Sequence, residues 1–71
     1  MMNKLTAQIV SLPDRENVVY EIYSGTNQVA EISNEPDIGL RIEIFNSADG
    51  SWNFNFNEFR ALVEQAERNL T

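Results

Sequence analysis

The chain has 71 residues, eleven acidic against five basic side chains, a net charge of −6, and neither cysteine nor histidine. This length predicts a single domain, residues 1–71, with a thin core, because chains of about 60 residues bury only ~60% of their unfolded surface. The absence of cysteine excludes disulfides and favours a reducing, cytoplasmic location. The absence of histidine excludes histidine chemistry. The acidity disfavours nucleic acid and anionic membrane as partners; it favours a basic protein, or it only keeps the chain in solution.

The first strand is predicted at residues 5–11, where apolar and polar side chains alternate. The preceding residues, Met1 to Lys4, lead into this alternation and not into a continuous apolar run. We therefore expect neither a signal peptide nor a membrane span.

Three further alternating segments are predicted as strands at residues 17–24, 28–33 and 38–45. Residues with turn preferences separate them, with proline, glycine, asparagine and aspartate prominent. Each segment contains an apolar residue followed by Glu-Ile. The three copies are Tyr20-Glu21-Ile22, Ala30-Glu31-Ile32 and Ile42-Glu43-Ile44.

Loop lengths fix which side chains face each other, because a slip of one residue moves a strand's side chains to the opposite face. A four-residue loop at 13–16 places Gln8 opposite Glu21. A three-residue loop at 25–27 places Glu21 opposite Glu31. In this register the isoleucines face a core, and the glutamates lie together on the other side of the sheet.

The C-terminal part begins as a short fifth strand near Trp52 and continues as a helix. Gly50 supplies the left-handed residue of the turn before it. Asn55 or Asn57 caps the helix; Asn55 is favoured because Glu58 follows three residues later, as in a capping box. Phe54 and Phe59 occupy the positions of a hydrophobic staple around that cap. Apolar residues then follow helical spacing at Phe56, Phe59, Leu62, Val63, Ala66 and Leu70.

Together these elements predict an α+β fold: a four- to five-stranded antiparallel meander sheet with one C-terminal helix packed on one face. The core follows from the inward positions of the strands and the apolar side of the helix. It comprises Ile22, Ile32, Ile42, Ile44, Trp52, Phe59, Leu62 and Ala66.

Catalytic and cofactor chemistry find no support in this sequence. The serines lie mostly at strand ends without a base motif nearby, and a single sheet with one helix offers no deep cleft. The aspartates and glutamates do not follow the spacing of calcium loops, and the glycines are isolated, which excludes a phosphate loop. We expect no enzyme, no catalytic residues, no cofactor and no metal site.

The open face of the sheet, on the side away from the helix, is the one candidate functional surface. It is expected to carry Val19, Glu21, Tyr23, Val29, Glu31, Arg41, Glu43 and Phe45. Two interpretations remain: a solvated sheet face, which antiparallel sheets routinely have, or a protein-binding face. Like charges opposite each other destabilise a sheet, and mixtures of aromatic and charged residues are typical of interfaces. The candidate partner-binding residues are Glu21, Tyr23, Glu31, Arg41, Glu43 and Phe45.

Nearly the whole chain resembles a family of small uncharacterised bacterial proteins. The segments that carry the resemblance are Ser11-Leu12-Pro13-Asp14-Arg15-Glu16, Tyr20-Glu21-Ile22-Tyr23, Ala30-Glu31-Ile32-Ser33, Arg41-Ile42-Glu43-Ile44-Phe45 and Asp49-Gly50-Ser51-Trp52-Asn53-Phe54. In size, acidity and layout the chain is also similar to immunity proteins of contact-dependent-inhibition and polymorphic toxin systems, which bind the toxin domain of their own strain.

The resemblance implies a cytoplasmic inhibitor that binds and neutralises a cognate, nuclease-type toxin domain. Such a partner is basic where it binds phosphate, which suits a carboxylate-rich face. Two alternatives stay open: a phage anti-CRISPR or nucleic-acid-mimic inhibitor, and a structural module that forms a homodimer through its sheet edges.

Overall fold

The structure is a computed structural model that describes residues 4–11, 13 and 17–71. Its four strands form one antiparallel sheet in the order β1-β2-β3-β4, and one helix follows them. This α+β meander with a C-terminal helix is the predicted fold. The elements are β1 (Leu5–Val10), β2 (Val19–Ser24), β3 (Asn27–Glu35), β4 (Gly39–Ile44) and α1 (Phe56–Leu70).

The register between β1 and β2 is the predicted one, with Gln8 opposite Glu21 and Ala7 opposite Ile22. The loop that was expected to set this register, residues 13–16, lies outside the described residues except for Pro13.

The connection between β2 and β3 differs from the prediction in one respect. Ser24 pairs with Asn27, so the turn contains two residues and not three. Gly25 has a φ of 63°, which suits the first central position of a type II′ hairpin turn. A two-residue turn alone would shift the pairing of β2 with β3 by one residue, and core-facing side chains of one strand would then lie opposite solvent-facing side chains of the other.

A β-bulge in β3 restores the predicted pairing of the two strands. The pairing shifts by one residue between Ile22, which pairs with Ala30, and Tyr23, which pairs with Gln28. Val29 is therefore the extra residue of β3. Neighbouring side chains of a bulged strand no longer alternate strictly, and both Val29 and Ala30 are buried in the core. The expectation that Val29 lies on the open face was wrong for this reason.

The core lies between the sheet and the helix. Its buried members are Leu5, Tyr20, Ile22, Val29, Ala30, Ile32 and Ala66, and partly buried residues pack around them: Ala7, Trp52, Phe54, Phe59, Leu62, Val63 and Leu70. Ile22, Ile32 and Ala66 are thus core residues as predicted, and Trp52, Phe59 and Leu62 lie at its margin.

The helix begins as the sequence predicts. Asn55 is the cap, and its side-chain Oδ1 accepts a hydrogen bond of 3.0 Å from the Glu58 N–H. The rings of Phe54 and Phe59 stack with centroids 5.7 Å apart, which is the predicted staple. The Glu58 carboxylate accepts a hydrogen bond of 3.3 Å from the Leu5 N–H, so it joins the first turn of the helix to β1.

Two further hydrogen bonds join the helix to the sheet. The Tyr20 hydroxyl donates to Gln65 Oε1 at 2.9 Å. At the C-terminal end, the Asn34 side-chain amide donates to the Leu70 carbonyl at 2.8 Å. The helix is therefore attached to β1, β2 and β3 along its length.

The predicted fifth strand is absent from the described residues, since 51–55 have no strand pairing. The Trp52 indole N–H donates to the Phe45 carbonyl at 2.7 Å, and its ring stacks on Phe54 at 5.7 Å. A side-chain bond to the end of β4 thus takes the place of the expected backbone pairing.

The prediction that Ile42 and Ile44 are core residues was wrong. They are 45% and 60% exposed, because the helix packs on β1 to β3. A helix with its side chains is about 10–12 Å wide, whereas four strands at ~4.8 Å spacing are wider than that. Phe56 is also exposed, at 71%; the Arg60 guanidinium lies 5.6 Å from its ring centroid.

The difference in burial between β2 and β4 can be tested by replacing one isoleucine of each strand on the helix side of the sheet. Ile22 is fully buried, whereas Ile42 is 45% exposed. Ile22→Ala is expected to lower the free energy of unfolding by ~2–5 kcal/mol, and Ile42→Ala by about 1 kcal/mol or less. Chemical denaturation at low micromolar protein concentration measures both. Equal losses would show that the helix covers β4 as well.

Candidate functional site

Three glutamates face one another directly across β2, β3 and β4. Glu21 pairs with Glu31, and Glu31 pairs with Glu43. We call Glu21, Glu31 and Glu43 the carboxylate row. Adjacent strands lie ~4.8 Å apart, so the row places three negative charges along a line perpendicular to the strands, and Gln8 of β1 extends it.

Two neutral side chains donate to the first member of the row. The Tyr23 hydroxyl lies 3.0 Å from Glu21 Oε1, and the Gln8 side-chain amide lies 3.1 Å from the same oxygen. Hydrogen bonds to an ionised acceptor are stronger than those between neutral groups. Both donors therefore direct the Glu21 carboxylate towards Tyr23 and Gln8.

The last member of the row has a cationic neighbour. Arg41 Nη1 lies 3.7 Å from Glu43 Oε1, and both side chains are nearly half exposed. An exposed ion pair of this kind contributes little to stability. Arg41 itself pairs across the sheet with Ser33, beside the row.

Five of the candidate binding residues share the open face by strand alternation, Phe45 directly follows the end of β4, and the six differ in exposure. Glu43 is exposed, and the others are partly buried: Glu21, Tyr23, Glu31, Arg41 and Phe45. The apolar part of the face is smaller than the sequence predicts. Val29 belongs to the core, and Val19 is fully buried at 0% exposure. Charged and aromatic side chains therefore dominate the accessible part of the face.

Sequence reasoning missed two features near this site. Ser33 is buried next to the row and donates to Glu35 Oε1 at 3.2 Å; a serine within a strand gives no signal of such a bond. On the other face, an open groove of about 240 Å³ lies between β4 and the helix. Its lining residues are Ile32, Leu40, Arg41, Ile42, Val63 and Glu67. The groove was missed because β4 was expected to be covered.

The site changes the pKa of the Tyr23 hydroxyl. The hydrogen bond to Glu21 raises the pKa of Tyr23 above 10.0, with desolvation and the charge of Glu21 acting in the same direction; a hydrogen bond with Gln8 opposes them. The carboxylate prefers a neutral phenol that can donate to it.

Within the described ranges, no three or more histidine, cysteine, aspartate or glutamate side chains are grouped so that they could hold a metal ion. No helix in that part of the chain is long and apolar enough to span a bilayer. Comparison of the chain with protein-family models, with curated proteins and with solved structures found no match.

The Tyr23–Glu21 bond is tested by replacing the acceptor. Glu21→Gln is expected to return the pKa of Tyr23 towards its ordinary value, because the largest cause of the shift is the bond to that carboxylate. The tyrosine ring ¹³C shifts followed by NMR from about pH 9 to about pH 12 report the change. Glu43→Gln, which removes the same charge two strands away, is the control and should leave the titration unchanged.

The same bond has a consequence for stability. Since the folded pKa of Tyr23 lies above the ordinary value of 10.0, its contribution is fully present below that pH and is lost as the pH rises through the folded pKa. A Tyr23 titration that is unaffected by Glu21→Gln would contradict the assigned contact.

Proposed function

We propose that this chain is a small acidic protein-binding protein, and that its partner is a nuclease-type toxin domain, which it neutralises as an immunity protein in the cytoplasm. The single observation that supports binding at the open face is the carboxylate row, in which three glutamates of adjacent strands face one another. The choice of a toxin as the partner rests on the resemblance in size, acidity and layout.

The energetics of the row favour a cationic partner. Like charges directly opposite on neighbouring strands destabilise a sheet by a few tenths of a kcal/mol per pair. In the free protein the row contains two such pairs, Glu21–Glu31 and Glu31–Glu43. Lysine or arginine side chains of a partner would place the opposite charge against the row, which is the complementary arrangement found across protein interfaces.

The surroundings of the row suit an interface as well. Tyr23 and Phe45 are partly buried aromatic residues, a residue type that is enriched at protein interfaces. Arg41 adds one positive charge beside Glu43. This charge restricts the orientation of a partner, because the partner needs an acidic or neutral group opposite Arg41. A nuclease cleft that binds phosphate presents the required basic side chains.

The proposed mechanism is occlusion without catalysis. The row would occupy the basic cleft, or lie beside it, and exclude the phosphate groups of the substrate. The net charge of −6 speeds the encounter with a basic partner, and association rates reach ~10⁸ M⁻¹s⁻¹ at low salt in steered complexes.

The test uses the inactivated toxin domain encoded beside this gene, after a pull-down from the native host has identified it. The variant Glu21→Gln/Glu31→Gln/Glu43→Gln is expected to bind more weakly than wild type and with a flatter dependence on salt. Affinities at two salt concentrations measure both effects, and circular dichroism confirms folding. Removing the repulsion within the row is expected to leave the fold intact or to stabilise it.

A control variant removes the same charge elsewhere. Asp37→Asn/Asp49→Asn/Glu64→Gln changes three exposed residues outside the row. It should lower the association rate slightly through net charge while keeping the dissociation rate of wild type. A folded row variant that binds as tightly as wild type would refute the open face as the binding site.

A further inference from the structure

The edge strand β4 has an apolar side that the rest of the described structure covers only in part. Leu40, Ile42 and Ile44 project on the helix side of the sheet and are 40%, 45% and 60% exposed. We call these three residues the β4 strip. The groove between β4 and the helix borders the strip. Long, apolar edge strands are a liability for a free protein because they can pair with another chain.

The backbone of β4 is also set up for pairing. The Phe45 N–H donates to the Val29 carbonyl at 2.8 Å, so this pair is a hydrogen-bonded one. Hydrogen-bonded and non-hydrogen-bonded pairs alternate along an antiparallel ladder. Arg41 and Glu43, which pair with Ser33 and Glu31, therefore direct their backbone groups towards β3. Those of the β4 strip point outward from the sheet edge.

We propose that a second copy of this chain occupies the β4 edge, with the two β4 strands antiparallel and Ile42 on the two-fold axis. In this register Ile42 faces its own symmetry mate, and Leu40 faces Ile44 of the second copy. By symmetry, Ile44 also faces Leu40 of the second copy. The backbone groups of the residues in these three pairs point outward, so each pair forms two hydrogen bonds. The dimer joins two four-stranded sheets into one continuous sheet.

The charges of β4 select this register over its neighbours. Centring the axis on Ile42 places Arg41 opposite Glu43 of the second copy, and symmetry repeats this attractive pair. Centring it on Arg41 would place two arginines opposite each other, and centring it on Glu43 would place two glutamates opposite each other. Opposite charges on facing strands stabilise a sheet and like charges destabilise it. Of these three registers, the one centred on Ile42 makes β4 complementary to itself.

The apolar side chains support the same arrangement. The β4 strips of the two copies lie side by side across the axis and cover each other, where one helix is too narrow to do so. The contact is isologous and closes on itself, so the assembly stops at two copies. An alternative contact between β4 and the other edge, β1, would leave one β4 edge and one β1 edge free to pair in the same way, and it would produce chains of increasing length.

The dimer is tested without any partner, by sedimentation equilibrium of the full chain. Wild type is expected to dimerise reversibly. Arg41→Glu should weaken the dimer by about tenfold or more, because two attractive cross-strand pairs become repulsive. The exchange Arg41→Glu/Glu43→Arg should restore it, since the facing charges are again opposite. Arg60→Glu on the helix, where Arg60 Nε lies 3.9 Å from Glu64, is the control and should leave the dimer unchanged.

A second variant tests the axis directly in a chain that has no cysteine of its own. Ile42→Cys is expected to form a disulfide-linked dimer under mild oxidation, because Cα atoms of a hydrogen-bonded pair lie ~5.5 Å apart. Ile44→Cys should not, since its symmetry mate lies several residues away. A wild type that stays monomeric, an exchange variant as weak as Arg41→Glu, or assemblies larger than two copies would overturn the proposal.

Discussion

The extra residue at Val29 is the constraint on which both faces of the sheet depend. The two-residue turn at Gly25 and Thr26 would by itself place Glu21 opposite Ala30, so that a charge would face a core position. The bulge shifts β3 by one residue before it meets the middle of β2. Ile22 then lies beside Ala30 under the helix, and Glu21 lies beside Glu31 on the open face. One local irregularity therefore produces a closed core and an ordered row of carboxylates together.

The second constraint is the width of a single helix, which is too small to cover all four strands. Its contacts with the sheet, through Tyr20, Asn34 and Leu5, hold it over the first three strands. Those strands supply all the buried core residues of the sheet. The last strand continues the same alternation but is only partly covered by the helix, so its isoleucines remain about half exposed. Whatever binds there must add both apolar contact and backbone hydrogen bonds.

Much of this structure can be predicted from the sequence because the strands alternate clearly and the helix has a well-defined start. The phase of each strand and the loop parity were enough to place Gln8, Glu21 and Glu31 side by side, and the Asn55 cap and the Phe54–Phe59 staple follow from local sequence. Alternation predicts which face of the sheet a residue lies on but not whether that face is covered. For this reason Ile42 and Ile44 were wrongly predicted to be buried. The bulge was missed because an odd loop and a two-residue turn with one extra residue have the same parity. The hydrogen bond from Tyr23 to Glu21 depends on side-chain rotamers, which no pattern encodes.

The register at the bulge can be measured directly by NMR. Glu21 and Glu31 form a non-hydrogen-bonded pair, because the backbone groups of Glu31 point to β4, and the α-protons of such a pair face each other across the strands. We expect a strong nuclear Overhauser effect between the α-protons of Glu21 and Glu31. An effect that joins the α-protons of Glu21 and Ala30 instead would mean that the bulge is absent, and it would contradict both the carboxylate row and the core arrangement.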